Sequence, residues 1–164
     1  MKVGTGTYTY ELIENFAKLP DGETFGLISR VATDSRNQLY VFQRKDPAVM
    51  VFDQDGNFRR SWGKGQFKRA HGFKIVADVA YVTDQVDCVA LIYTLEGKLL
   101  RQLGTRGVHS DTGCEDWHNL PLRAAGPFNH PTEMMPGPSG DLYVTDGYRN
   151  SRVHRFTKDG ELLQ

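Results

Sequence analysis

Short apolar runs separated by turn residues organise this chain, and no helical period competes with them. Val31–Thr33, Leu39–Phe42, Val49–Phe52 and Phe58–Trp62 are rich in aromatic and β-branched residues, which suit a pleated strand. No segment longer than about ten residues spaces its apolar positions three and four apart, as an amphipathic helix requires. Between the last two runs lies Asp55-Gly56, and the same signal returns as Glu96-Gly97 and Asp159-Gly160. A tight hairpin needs positive φ at such a site, which glycine adopts without steric cost. The pattern predicts an all-β chain.

The runs also recur. Ile28–Gln43 aligns without a gap on Pro131–Asp146, and Ala70–Asp84 is a third copy one residue shorter. The tyrosines Tyr40, Tyr81 and Tyr143 are spaced 41 and 62, and the glycines Gly56, Gly97 and Gly160 are spaced 41 and 63. Phe25, Phe67 and Phe128 each stand four residues before Ser29, His71 and Thr132. Three markers thus give one period near 41, with about 21 extra residues before the third copy. Four short strands in each period are the habit of a β-propeller blade. The repeats run over 29–69, 70–103 and 131–164, with a connector over 104–127 and an outer strand expected over 7–16.

Composition narrows the function classes. The chain has 164 residues, 39% of them apolar and 24% charged, which fits one globular domain or a piece of one. Its apolar runs fall far below the roughly 20 residues of a membrane helix, so no membrane partner is expected. The 20 basic and 20 acidic side chains cancel, which argues against a dedicated nucleic-acid binder. The basic run Arg59, Arg60, Lys64, Lys68 and Arg69 is spread by strand alternation over both surfaces of a sheet. Gly63-Lys64-Gly65 lacks the spacing of a phosphate loop, and Asp53-Gln54-Asp55-Gly56 lacks that of a calcium loop. Cys88 and Cys114 make neither a disulfide framework nor a metal motif. No charged start followed by an apolar stretch is visible in Met1–Thr9, which sets the expectation of a cytoplasmic protein.

The apolar start of each copy, the Asp after the second strand and Asn150-Ser151-Arg152-Val153 resemble the blades of NHL-repeat β-propellers. The stretches VFQRKDPAVMVFDQDGNF, RAHGF and VTDGYRNSRVHRF further resemble the peptidyl-α-hydroxyglycine amidating lyases and their bacterial relatives. The resemblance runs from about Tyr8 to Gln164. Six blades of about 42 residues would need roughly 250 residues. The chain therefore reads as about three and a half blades of a six-bladed NHL-type propeller, an incomplete ring. Its open blade edges are expected to favour self-association and to leave little lyase turnover.

In a blade the start of strand one, the turn after strand two and the connector between blades share one face. His71 begins an inner strand, Arg44 and Tyr148 follow second strands, and 104–127 is a connector. All are expected at one end of the tunnel, where a small-molecule or peptide ligand would bind. The resemblance makes His71 one of three zinc ligands, the other two falling beyond Gln164, with Ser29 and Thr132 at the equivalent places. The alternative is a histidine satisfied by backbone carbonyls. The resemblance makes Arg44 the partner of the substrate carboxylate and Tyr148 the catalytic base; the alternatives are a solvated rim arginine and an aromatic plug. It also implies a structural calcium on the main-chain carbonyls of Val31 and Phe73. Arg149 stands where the family commonly has a disulfide cysteine. In the connector, His109, Asp111, Cys114, Glu115, Asp116, Trp117 and His118 read as an ordered lid without a metal of its own. The implied reaction cleaves the N–Cα bond of a hydroxyglycine-extended peptide; the other reading is a non-catalytic binding propeller.

Overall fold

A computed structural model describes residues 1–116 and 118–163; Trp117 of the connector and Gln164 at the end of the third repeat lie outside the described residues. An N-terminal hairpin, β1 (Lys2–Thr5) and β2 (Tyr8–Glu11), stands exposed ahead of the repeats. The strand expected over 7–16 is thus confined to Tyr8–Glu11. Gly6, with φ of 60°, turns the chain back, so β2 pairs with β1.

Each repeat then forms its own antiparallel sheet. The first holds β3 (Ile28–Thr33), β4 (Leu39–Gln43), β5 (Val49–Phe52) and β6 (Phe58–Trp62) in that order. The second holds β7 (Ala70–Val76), β8 (Val79–Asp84), β9 (Val89–Thr94) and β10 (Leu99–Leu103). The third holds β11 (Glu133–Pro136), β12 (Leu142–Asp146) and β13 (Arg152–Phe156), and a single bridge from Phe156 to Leu162 begins its outer edge. Gly56, Gly97 and Gly160 all take positive φ, as the hairpin signals require. No helix occurs among the described residues, and none is long and apolar enough to cross a membrane. The chain is an all-β propeller segment whose three described blades do not close a ring.

Packing explains why the central strands read as nearly unbroken apolar runs. Strand alternation sends neighbours to opposite faces, and in the first two blades both faces are covered. From β4, Tyr40 and Phe42 enter the core between blades one and two, with Val49, Val51, Trp62, Phe73, Leu91 and Tyr93. Val41 and Met50 turn the other way, against Ala17, Leu19 and Phe25 of the segment before the first blade. Ala90 and Ile92 of β9 meet Met134, Leu142, Val144 and Phe156 across the next seam. The far face of the third blade carries Met135, Tyr143 and Val153, all exposed. The described residues of the 104–127 connector form no strand, but Ser110 N–H bonds Phe128 O at 2.8 Å and Leu122 N–H bonds Thr112 O at 2.8 Å.

Aromatic rings carry much of the first seam. Phe42 is fully buried, edge-on to Phe67 at 5.1 Å and 5.2 Å from the Phe73 ring. Phe42→Ala should therefore lower the unfolding free energy by about 3–5 kcal/mol, whereas Leu100→Ala, at an exposed outer-strand position, should change it by less than about 0.5 kcal/mol. Urea denaturation of the two variants beside the parent chain checks this. Equal midpoints would show that the seam is not the packed core described.

Candidate functional site

The site is assembled from the starts of three inner strands. The β7–β8 register slips between Ala70 and Phe73, so His71 and Gly72 lie in a bulge. The β3–β4 register slips likewise between Ile28 and Arg30, around Ser29. Bulges re-aim side chains, and here they turn the equivalent residues toward one another. Ser29 Oγ donates to His71 O at 2.8 Å, and His71 Nδ1 meets Thr132 O at 2.9 Å. Ser29, His71 and Thr132, the three positions matched by the repeat, form one chain of hydrogen bonds from blade to blade. Gly72 permits this closeness: a Cβ there would lie 2.5 Å from Thr132 O and 2.8 Å from Glu133 Cα.

Thr132 O can only accept, so Nδ1 of His71 carries a proton and donates it. In neutral imidazole Nε2 is then the basic nitrogen, and Tyr148 Oη lies 3.1 Å from it. The two rings meet edge-on with centroids 5.5 Å apart. Burial pushes the His71 pKa below its ordinary value, and the guanidinium charges of Arg44 and Arg30 add to that, against the opposing pull of the Thr132 carbonyl and Glu133. Arg30 itself reaches across to Glu133 at 3.1 Å, tying the first inner strand to the third.

Arg44 Nε donates to Ala70 O at 3.1 Å, the one hydrogen bond its side chain makes among the described residues. Its terminal nitrogens stay unpaired beside a cavity of about 120 Å³ lined by Gln43, Lys45, Asp46, Phe67 and Lys68. Lys45 is held by Glu23 and Thr24, and Lys68 by Asp87, leaving Arg44 as the uncompensated fork. A guanidinium so placed has the geometry and charge to receive a carboxylate-sized anion. His71, Tyr148 and Arg44 are therefore brought to one end of the blades. Val31 and Phe73 lie on the neighbouring inner strands β3 and β7. Arg30, Glu133 and Gly72 escaped the sequence reading, although repeat alignment places each beside an inner-strand start.

The other histidines lie apart from His71. His130 is buried with its ring 5.2 Å from that of His109, and His109 Nδ1 lies 3.5 Å from Cys88 Sγ. His154 is buried against Asp146 at 3.3 Å, and His118 is exposed in the connector. Cys114 Sγ bonds Asp116 O at 3.1 Å and Asn119 O at 3.2 Å, a fold of the connector upon itself. Among the described residues no group of three His, Cys, Asp or Glu side chains is placed to hold a metal. His71 has the tautomer of a zinc ligand, but a zinc site takes at least three protein ligands. The resemblance gives this chain His71 alone as a zinc ligand, and the described residues place no further His, Cys, Asp or Glu beside it to complete such a site.

No family model matches the chain. It is 32% identical over 148 residues to mouse NHL repeat-containing protein 3, covering 81% of this chain and 39% of that protein. It is 24% identical over 183 residues to peptidyl-alpha-hydroxyglycine alpha-amidating lyase 2 of Drosophila melanogaster, covering 93% and 41%. The chain thus spans about two fifths of these relatives. A crystal structure of catalytically inactive virginiamycin B lyase from Staphylococcus aureus superposes with a TM-score of 0.58 at 16% identity, over 88% of this chain and 42% of that one. The similarity to NHL-repeat proteins and amidating lyases, and the propeller fold, are those the sequence motifs indicate.

Two outcomes follow from the buried groups around the seam of blades two and three. Burial pushes the Cys88 thiol up to about 11, so at pH 8 the native protein should leave Cys88 unalkylated by iodoacetamide and react only once unfolded. Rapid labelling of native Cys88, read by mass spectrometry, would contradict its burial. Burial, aided by Arg149 and His109, lowers His130 to about 4, against an ordinary value of about 6.5. Between these values the unfolded chain binds the proton and the folded one does not, so stability is full above about pH 6.5 and falls toward pH 4. His130→Asn, which tolerates the positive φ of 70° found there, should flatten the pH dependence of stability in that window. An unchanged slope would show that His130 does not contribute to it.

Proposed function

We propose that this propeller segment binds a peptide ending in α-hydroxyglycine, or a similar carbinolamide with a carboxylate, and carries proton-handling groups for its cleavage. The observation that carries the reading is the His71–Tyr148 pair, 3.1 Å apart, beside the unpaired fork of Arg44. Similarity to a protein named as an amidating lyase supports it. The substrate carboxylate sits on Arg44. Its hydroxyl proton passes to Tyr148 Oη as the phenol proton moves to His71 Nε2. Carbon and oxygen form the new carbonyl, and the electron pair of the breaking C–N bond goes to the amide nitrogen. The proton returns from His71 through Tyr148 to that nitrogen. The products are an amide and glyoxylate, and no water is consumed.

His71 suits this passage because its environment keeps it neutral at rest, while Thr132 O holds its other nitrogen as a fixed donor. No step is assigned to zinc, which needs ligands that the described residues do not furnish together. A calcium ion on the carbonyls of Val31 and Phe73 would act on the inner strands and not on the substrate.

The test is titration with a benzoyl-α-hydroxyglycine probe, followed by glyoxylate release with and without added zinc. Arg44→Gln should weaken binding by roughly 10- to 100-fold, the loss of a charged hydrogen-bond pair. His71→Ala and Tyr148→Phe should spare most of the affinity and lower any turnover. Binding without turnover would leave the segment a ligand-binding propeller. Variants that bind and react like the parent chain would overturn the assignment.

A further inference from the structure

We infer that Thr83 is a positioning residue: its hydroxyl fixes the carbonyl that sets which nitrogen of His71 carries the proton. Thr83 is fully buried on β8. Gly72 N–H donates to Thr83 Oγ1 at 2.8 Å, and Thr83 Oγ1 donates to Thr132 O at 3.0 Å. Both directions are forced, since an amide N–H can only donate and a carbonyl can only accept. Thr132 O is the same atom that receives His71 Nδ1 at 2.9 Å. One carbonyl of the third blade thus takes two donors from the second, one from the site imidazole and one from Thr83.

The repeat shows that blade packing does not demand this hydroxyl. Thr83 pairs with Ala90 across β8 and β9, as Phe42 pairs with Val49 across β4 and β5, so the two are equivalent. Phe42 fills the core of its seam with an aromatic ring. A hydroxyl buried at that place costs free energy unless its bonds are made, and here one is made to Gly72, next to His71 on β7, and the other to Thr132 of the third blade. Fixing the Thr132 carbonyl keeps the Nδ1 proton in place and leaves Nε2 open toward Tyr148. Thr145, the equivalent in the third blade, bonds the Thr132 hydroxyl instead, at 2.6 Å. The carbonyl is therefore held by Thr83 and the side chain by Thr145.

The inference rests on the reading of His71 as a site residue, but its test needs no substrate. In the nitrogen-15 spectrum of the full chain, His71 should carry its proton on Nδ1. Thr83→Val should shift the tautomer ratio toward Nε2–H by roughly fivefold, the worth of one ordinary hydrogen bond, and Thr83→Ser should restore it. A Thr83→Val protein with the parent ratio would overturn the inference. So would a serine variant that behaves like the valine one. If the valine variant does not fold, the parent spectrum decides, because a His71 proton on Nε2 is incompatible with the arrangement. Absence of lyase turnover with the Nδ1–H tautomer intact would count against the proposed reaction alone.

Discussion

The side chain that ends each second strand decides where the next inner strand can start. In the first blade Gln43 Oε1 accepts from Gly26 N–H at 2.8 Å. In the second, Asp84 accepts from the backbones of Lys68, Arg69 and Asp87. In the third, Asp146 accepts from Asn129 N–H at 2.8 Å and from Asn150 Nδ2 at 2.8 Å. All three acceptors are buried, so each connector N–H they hold would otherwise be an unsatisfied donor costing about 1–3 kcal/mol. The clamp holds Gly26, Lys68 and Asn129, each three residues before Ser29, His71 and Thr132. That is why Ser29, His71 and Thr132 arrive at one level of the axis.

Given that level, the site follows from differences between equivalent positions. Serine, histidine and threonine share one place in the repeat, yet Ser29 and His71 each bond the next blade while the Thr132 hydroxyl bonds Thr145 O within its own. A ring of like residues would give a symmetric scaffold; here one imidazole lies between a hydroxyl donor and a carbonyl acceptor. Arg30 and Arg44 add positive charge on the side of the first blade, and Glu133 answers Arg30 from the third. The arginine without a carboxylate partner is the one beside the cavity. An anion bound there would offset part of the positive field that Arg44 exerts on His71.

Strand positions were legible in the sequence because burial on both faces leaves long apolar runs and glycine marks each hairpin. β5 and β6 run from Val49 to Phe52 and from Phe58 to Trp62, as their composition indicates. The repeat also brought out His71, Arg44 and Tyr148, since topology alone sends these positions to one face. Less legible was whatever depends on a register slip. The bulge that aims His71 at Thr132 has no composition of its own, and Thr83 reads as an ordinary β-branched strand residue. The first strand of the N-terminal hairpin was hidden for another reason: it is exposed on both faces and carries no burial pattern.

Those register slips link stability to chemistry. A bulge leaves backbone groups out of the ladder, and in β7 the Gly72 N–H is recovered by a side chain, not by a strand. The bulged strand is also tied to the neighbouring blade, because His71 Nδ1 and Thr83 Oγ1 both donate to Thr132 O across the seam. Separation of blades two and three would break the Nδ1 bond of His71, strand the Thr83 hydroxyl proton, and open the apolar seam of Met134, Val144 and Phe156 in the same motion. The energy that docks one blade on the next is the energy that orients the imidazole. A site built this way cannot loosen without the core loosening with it, so its geometry is as rigid as the packing of the two blades beneath it.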